Sequence, residues 1–533
     1  MLPTKQPFER IALNRVTFGA RPEDIDAVRR MGWQAWVADQ LAPPLDDEPA
    51  ILERIAPQTM RIKYAVQLPA GDSPGWPAID ERRKFNYWRT DITSIWRMVV
   101  RTEYDIAPNE RARIQTELGA ATWIRNAHAD YQVREFTTDF WNSHFNVGRQ
   151  EDVYASAALA VYDRQVVRPN VFGNFRVFLE AVATSAAMLR YLNNAESGAT
   201  APTENYVREL LELHTLGAPA YFGVGVTAPG TVNVAGATVA TGFTDADIVQ
   251  AARAFSGWTI EHGQASANGP LPFTGKFIFN PVQHNSAANM FMGVDLSRLQ
   301  GMAQGRKILD IVAAHPATAN FVCGKLCRRI YGDHPPSAAF NRALAAWTEH
   351  HDKSDQLKRV VSAILLGEDI GAGPVVKVRR PYERMMALFR TTGTIVNAYD
   401  GAADSLQSVG DGAYAWPTPE GRPDRNADQL SAAANLRFWN LMFQTLDHPA
   451  FQTSFASQTP RELAANPEGI VAYWVERMVG AQLRPEGMQA LVSDALAPIG
   501  IIAAYRSGGI LNIEGASRRL AVLIATSPEF ALR

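Results

Sequence analysis

The segment Glu204–Gly217 reads Glu-Asn-Tyr-Val-Arg-Glu-Leu-Leu-Glu-Leu-His-Thr-Leu-Gly. Helical spacing puts Asn205, Arg208, Glu209 and Glu212 on one face, because positions three, four and seven apart align. Leu210, Leu211 and Leu213 then point into a core. Two carboxylates one turn apart can share a metal, shift each other's pKa, or act as an acid and a base. The bland alternative is an Arg208–Glu212 ion pair with Glu209 in water, which contributes little on an exposed helix. His214 stands two residues after Glu212 and so points elsewhere, and a Glu-x-x-His di-iron motif is absent.

Three histidines stand beside further polar residues. His144, in Trp141-Asn142-Ser143-His144-Phe145, ends a helical stretch with Gly148 as a plausible stop. It is a candidate base or metal ligand, or else a hydrogen-bonded core histidine. His284 follows the extended aromatic stretch Phe277–Phe279 and precedes Asn285, at a chain position where sites are often built. His315 precedes Pro316, which suits the start of a helix better than chemistry. Lys325, Arg328 and Arg329 then form a basic helix end, suited to its dipole or to an acidic partner. Trp141, Trp258 and Trp416 are candidates for stacking on a sugar ring, against the alternative of plain core packing.

The elements that would position these residues are mainly helical. Helix-period stripes recur at about 84–103, 108–129, 132–142, 175–192, 203–214, 244–256, 316–331 and 377–395, among others, without alternating strand runs between them. Ala220–Gly242, rich in Gly, Val and Thr, predicts a small β-hairpin, and Phe273–Asn280 a strand that pairs with it or edges it. Long loops are expected at Leu68–Asp80, Ala195–Pro202, His262–Pro270 and Asp400–Asn426. The last carries Trp416-Pro417-Thr418-Pro419 and cannot be helical throughout. The expected architecture is one large, mainly α domain over 1–533, with a hairpin insertion at 218–242 and a Pro/Gly-containing loop at 400–426.

Composition narrows the function. The 533 residues are 47% hydrophobic and 20% charged, which excludes a disordered or fibrous chain. A net charge of −2 gives no sign of a nucleic-acid partner. No apolar run reaches the roughly 20 residues that span a bilayer. The only cysteines, Cys323 and Cys327, stand four apart in one helix and exclude a disulfide-stapled secreted domain. Phosphate loops, Gly-x-Gly-x-x-Gly, His-Glu-x-x-His and Gly-x-Ser-x-Gly are missing, which disfavours nucleotide-dependent enzymes and common zinc proteases. Met1–Glu9 has no apolar signal core. A cytoplasmic protein fits this, as does an exported or periplasmic one whose leader has been removed.

The ordered series Leu13–Gly19, Trp141–Phe145, Leu189–Asn193, Glu204–Gly217, Gly242–Thr244, Ala254–Trp258, His315–Thr318, Lys325-Leu326 and Ser527–Phe530 resembles the bacterial domain-of-unknown-function 1800 family over nearly the whole chain. The resemblance implies a long helical domain and, since many members carry export signals, an exported protein. It implies no mechanism, because the family's biochemical role is unassigned. It adds weight to His144, Arg208, Glu209 and Glu212, which lie inside the shared motifs. Three positions depart from the family pattern: Thr203 replaces an Asn, Asn285 replaces an acidic residue, and Ala220–Thr241 reads as an insertion.

The leading expectation is a hydrolase-type enzyme acting on carbohydrate. Glu209 and Glu212 would be the acid/base pair, His144 a second base and Arg208 an anion binder. Asn205, Trp141, Trp258 and Trp416 would contact substrate. A divalent metal, with zinc, manganese and calcium all open, would take His144, Glu209, Glu212 and His284 as ligands. The alternatives are a metal-dependent oxidoreductase using His144 and His284 with a carboxylate, and a non-catalytic exported scaffold or binding protein. The sequence does not reveal the oligomeric state.

Overall fold

A computed structural model of the chain describes all residues except 1–5, 72, 106, 149–151, 227–229, 401–410, 413, 464–465, 482 and 494–512. Many helices start where a proline supplies a preset φ and lacks the N–H that a first turn cannot pair. Pro108–His128, Pro316–Tyr331, Pro381–Thr392 and Pro467–Met478 all begin this way. His315 sets the start of its helix as expected. Its Nδ1 accepts from the Ala317 N–H at 3.1 Å and its Nε2 donates to the Ala240 carbonyl at 3.0 Å.

The structure is 55% helical, and among the described residues the strands pair only as small two-stranded antiparallel sheets. The mainly α reading is therefore right. One continuous set of packed apolar side chains runs from Ala12 to Phe530. No helix among the described residues is long and apolar enough to cross a membrane.

Thr231–Val234 pairs with Ala237–Ala240 as a hairpin inside the expected segment. The strand Phe273–Phe279 does not join it. It pairs with Trp258–His262, in the register Trp258 opposite Phe279, because those faces bury aromatic side chains together. The expected loop Leu68–Asp80 ends in a strand, Ile79–Lys84, paired with Thr59–Tyr64. The helix expected from 84 starts only at Ile92. The helix Val153–Val161 carries no polar stripe and was not legible as a period; all its residues but Val153 are buried. Residues 401–410 and 413 of the loop expected at 400–426 lie outside the described residues.

Candidate functional site

The helix Gln132–His144 ends in the core, where Phe145 caps it with non-helical backbone. Gly148 does not stop the helix. It lets the chain pass under a loop: a Cβ there would stand 2.1 Å from the Trp416 carbonyl oxygen. His144 packs among Phe140, Trp141 and Phe145, and its Nε2 donates to the main-chain carbonyl of His214 at 3.1 Å. A carbonyl only accepts, so Nε2 carries the proton and Nδ1 keeps a lone pair. That lone pair is buried and has no hydrogen-bond partner among the described residues. Burial, reinforced by the nearby charge of Lys325, pushes the His144 pKa well below the usual histidine range and keeps the ring neutral.

Two π-turns converge on this helix end. In the first, Tyr162–Val167, the Tyr162 hydroxyl donates to the Phe145 carbonyl at 2.9 Å, and Asp163 accepts from Asn142 Nδ2 at 2.9 Å. The second, Leu210–His214, continues the short helix Asn205–Glu209 and ends on His144. π-turns in a helix are rare and are often found at functional sites.

The second π-turn also breaks the expected helical face. Arg208 pairs with Glu204 at 3.0 Å and Asp245 at 2.9 Å, not with Glu212. This occupies the guanidinium assigned above to an anionic substrate. Asn205 is exposed and donates to the Leu192 carbonyl at 3.3 Å. Glu209, in contrast, is half-buried, and its pKa is pushed up to about 7 by burial and by the charges of Glu212 and Glu420. Glu420 is the partner that sequence reasoning missed. It sits in the irregular loop after Pro419, where no period marks a residue's neighbours.

That loop is strapped across the His144 helix end. Asn146 Nδ2 donates to the carbonyls of Trp416 at 3.1 Å and Thr418 at 2.8 Å. The Tyr191 hydroxyl donates to the Pro417 carbonyl at 2.9 Å, and the Arg422 N–H to Ser143 Oγ at 3.0 Å. Gly421, at φ +75°, makes the closest approach: a Cβ there would lie 1.8 Å from the Ser143 carbonyl oxygen.

Under the strap lies a cavity of about 460 Å³. Its lining includes His144, Ser143, Glu420, Lys325, Arg328 and Arg425. Asp139, also on its wall, accepts from Arg329 at 2.9 Å, from Arg422 at 3.4 Å and from Arg380. Behind it, Glu383 pairs with Arg329 and, at 3.3 Å, with Arg533. Burial works against these acids, but the surrounding guanidiniums hold Asp139 below and Glu383 well below the usual carboxylate range.

Other expected site residues fall elsewhere. Trp141 and Trp258 are fully buried and offer no ring face to a sugar, while Trp416 is partly exposed. The ring of His284 packs on Phe279, and its Nδ1 pairs with the Ser256 carbonyl at 2.9 Å. It shares none of these neighbours with His144. Among the described residues no group of three or more His, Cys, Asp or Glu side chains is arranged to hold a metal, so His144, Glu209, Glu212 and His284 do not form one ligand set. Glu209 and Glu212 stay close enough for their charges to interact, while His144 and His284 pack among different neighbours. Cys323 and Cys327 are buried free thiols.

A family model described as a protein of unknown function, DUF1800, matches residues 11–532. This chain belongs to the DUF1800 family. The match spans both motifs that meet at the His144–His214 contact, as well as the strap loop. No curated protein and no solved structure matches this DUF1800 chain.

Proposed function

We propose that this DUF1800 chain is a hydrolase-type enzyme whose reaction centre lies between Glu209, Glu212 and Glu420, beside the His144 cavity. The observation that carries the reading is the Glu209 carboxyl, with a pKa near 7 next to two further carboxyl groups. A carboxyl tuned this way can still hold its proton at neutral pH and give it to a leaving group as the scissile bond breaks. Attack by water on the electrophilic centre would release a proton to Glu212 or Glu420. The neutral His144 stands on the cavity wall with its unpartnered Nδ1 enclosed. Arg208 is no part of this centre. Carbohydrate remains the first substrate class to try, with Trp416 as the one partly exposed ring of the three expected. An exported location accompanies this reading, and one large helical domain carries it.

The test is a panel of chromogenic glycosides and esters, followed by a pH–rate profile on any hit. The expected profile loses activity as pH rises through about 7, the pKa of Glu209, and Glu209→Gln removes most of the rate. A basic limb that survives in Glu209→Gln would assign the acid elsewhere.

A scaffold reading keeps one observation in its favour. The Asp139–Glu383 arginine cluster is a buried network that joins distant chain segments, and such networks can serve register alone. Under that reading Glu209→Gln alters stability and no activity is found for any panel member.

A further inference from the structure

Most cations around the strap cavity already have carboxylate partners. Arg329 and Arg380 pair with Asp139 and Glu383, and Arg422 with Asp139 and Asp411. Lys377 takes Asp424 at 3.0 Å. Three cations on the lining are different. Lys325, Arg328 and Arg425 have no side-chain hydrogen bond and no ion pair among the described residues. Lys325 is the most enclosed of them. Its Nζ stands 5.4 Å from the centre of the Phe321 ring, on the same helix as Arg328 and one turn before it. Burial and the neighbouring Arg328 lower its pKa to about 8, outweighing the opposing charge of Asp424, which is ion-paired to Lys377 and makes no hydrogen bond to Lys325.

Arg425 is exposed, but enclosing the Lys325 ammonium without a direct partner is costly, and the usual resolutions are neutralisation or a bound anion. The carboxylates on the same lining do not remove the surplus. Asp139 is shared by three arginines, Asp424 by Lys377, and Asp428 accepts the Arg425 main-chain N–H at 3.2 Å. Glu420 lies toward Glu209, the direction in which its charge is felt. A cavity of about 460 Å³ is in the size range of small-molecule sites. We propose that this cavity is an oxyanion-binding subsite: Lys325 and Arg328, with Arg425 at the rim, take a phosphate, sulfate or carboxylate group of a small molecule. This deepens the hydrolase reading and rests on it only in calling that molecule a substrate. Glu420, common to the cavity lining and to the Glu209 group, would set the anionic group next to the reacting bond.

The experiment is isothermal titration calorimetry of the full chain at low ionic strength, because screening by salt weakens such contacts. The probes are inorganic phosphate, sulfate and galacturonate, with glucose as the neutral control. Binding of at least one oxyanion and not of glucose is expected, with the preferred probe naming the group. Lys325→Met and Arg328→Met should each weaken that binding at least tenfold, and Lys307→Met on another helix should not. Glu209→Gln should bind the anion like the parent, which separates failure of this site from failure of the hydrolase reading. A second readout covers a variant that folds poorly: on the parent chain, the preferred anion should slow acetylation of Lys325 by acetic anhydride, read by peptide mass spectrometry. No binding of any oxyanion by the parent, or binding indifferent to both substitutions in folded variants, overturns the proposal.

Discussion

His144 Nε2 donates to the main-chain carbonyl of His214 across 3.1 Å, joining two motifs that lie 70 residues apart. The bond fixes the tautomer of His144 and caps the π-turn that ends the Glu209 helix. Both rings are fully enclosed, and neither nitrogen of the His214 ring has a hydrogen-bond partner among the described residues. Two neutral imidazoles are therefore built into the core beneath the strap.

This has a pH consequence. Burial lowers His214 to about 3 and His128 to about 3, and pushes His144 down as well. Below pH 6.5 the unfolded chain binds protons that the folded chain refuses. Stability is therefore full above that value and falls as pH drops. At pH 5 the loss for a histidine with a folded pKa near 3 is about 2 kcal/mol. Urea unfolding between pH 7 and pH 5 should show a steep loss, smaller in His128→Gln. A flat profile would mean these rings are not buried neutral.

Glu209 has the opposite sign. Its folded pKa of about 7 lies above the unfolded one, so it adds stability at low pH that disappears as pH rises through 7. A shift of this size corresponds to about 3 kcal/mol in full burial, and solvent screening of a half-exposed group reduces it to about 1 kcal/mol. Glu209→Gln should therefore melt like the parent at pH 4.5 and higher than the parent at pH 8.5. Equal melting at both pH values would place Glu209 in water.

Asp139 is the common acceptor of Arg329, Arg380 and Arg422. Asp139→Asn keeps the shape and leaves three guanidiniums facing one another. The expected cost is about 3–5 kcal/mol, the usual price of breaking a buried ion network by removing one partner. Differential scanning calorimetry reads it directly, and a loss below 1 kcal/mol, within the range of a surface pair, would show the cluster to be hydrated.

Gly421→Ala adds a methyl group 1.8 Å from the Ser143 carbonyl oxygen at a φ of +75°. The strap must lift, at a cost of about 1–3 kcal/mol from strain and lost contacts. Trypsin should then cut faster after Arg425 than in the parent; the Arg422 bond precedes Pro423 and resists it in both. Gly148→Ala, which clashes with the Trp416 carbonyl from the other side, should do the same. Unchanged cleavage in both variants would contradict the close packing of strap on helix.

Arg208→Ala removes two partly exposed ion pairs, to Glu204 and Asp245, and should cost less than about 1 kcal/mol. Once a substrate is in hand, its rate and pH profile should be unaffected. A hundredfold fall in rate would restore the anion-binding role that the sequence spacing first suggested for this residue.

The sequence by itself determined the helical class, because apolar stripes at the helical period and prolines at helix starts are local facts. Pro316–Tyr331 and Pro108–His128 form where those signals stand. It also marked His144 and Glu209 as residues of interest, since both sit in motifs dense in polar groups among aromatics and leucines. It could not mark Val153–Val161, whose apolar residues surround the axis and leave no period to read.

Only the tertiary structure decided which of these residues meet. Arg208 turns back to Glu204 and across to Asp245, while the π-turn at Leu210–His214 changes the helical geometry on the side of Glu212, which residue types do not announce. Packing buried Trp141 and Trp258 and placed His284 among neighbours other than those of His144. The third carboxylate, Glu420, and the cations Lys325 and Arg425 come together because an irregular loop crosses a helix end at two glycines. Contacts of that kind depend on chain segments hundreds of residues apart, and their partners are chosen by close packing and charge, which no local period encodes.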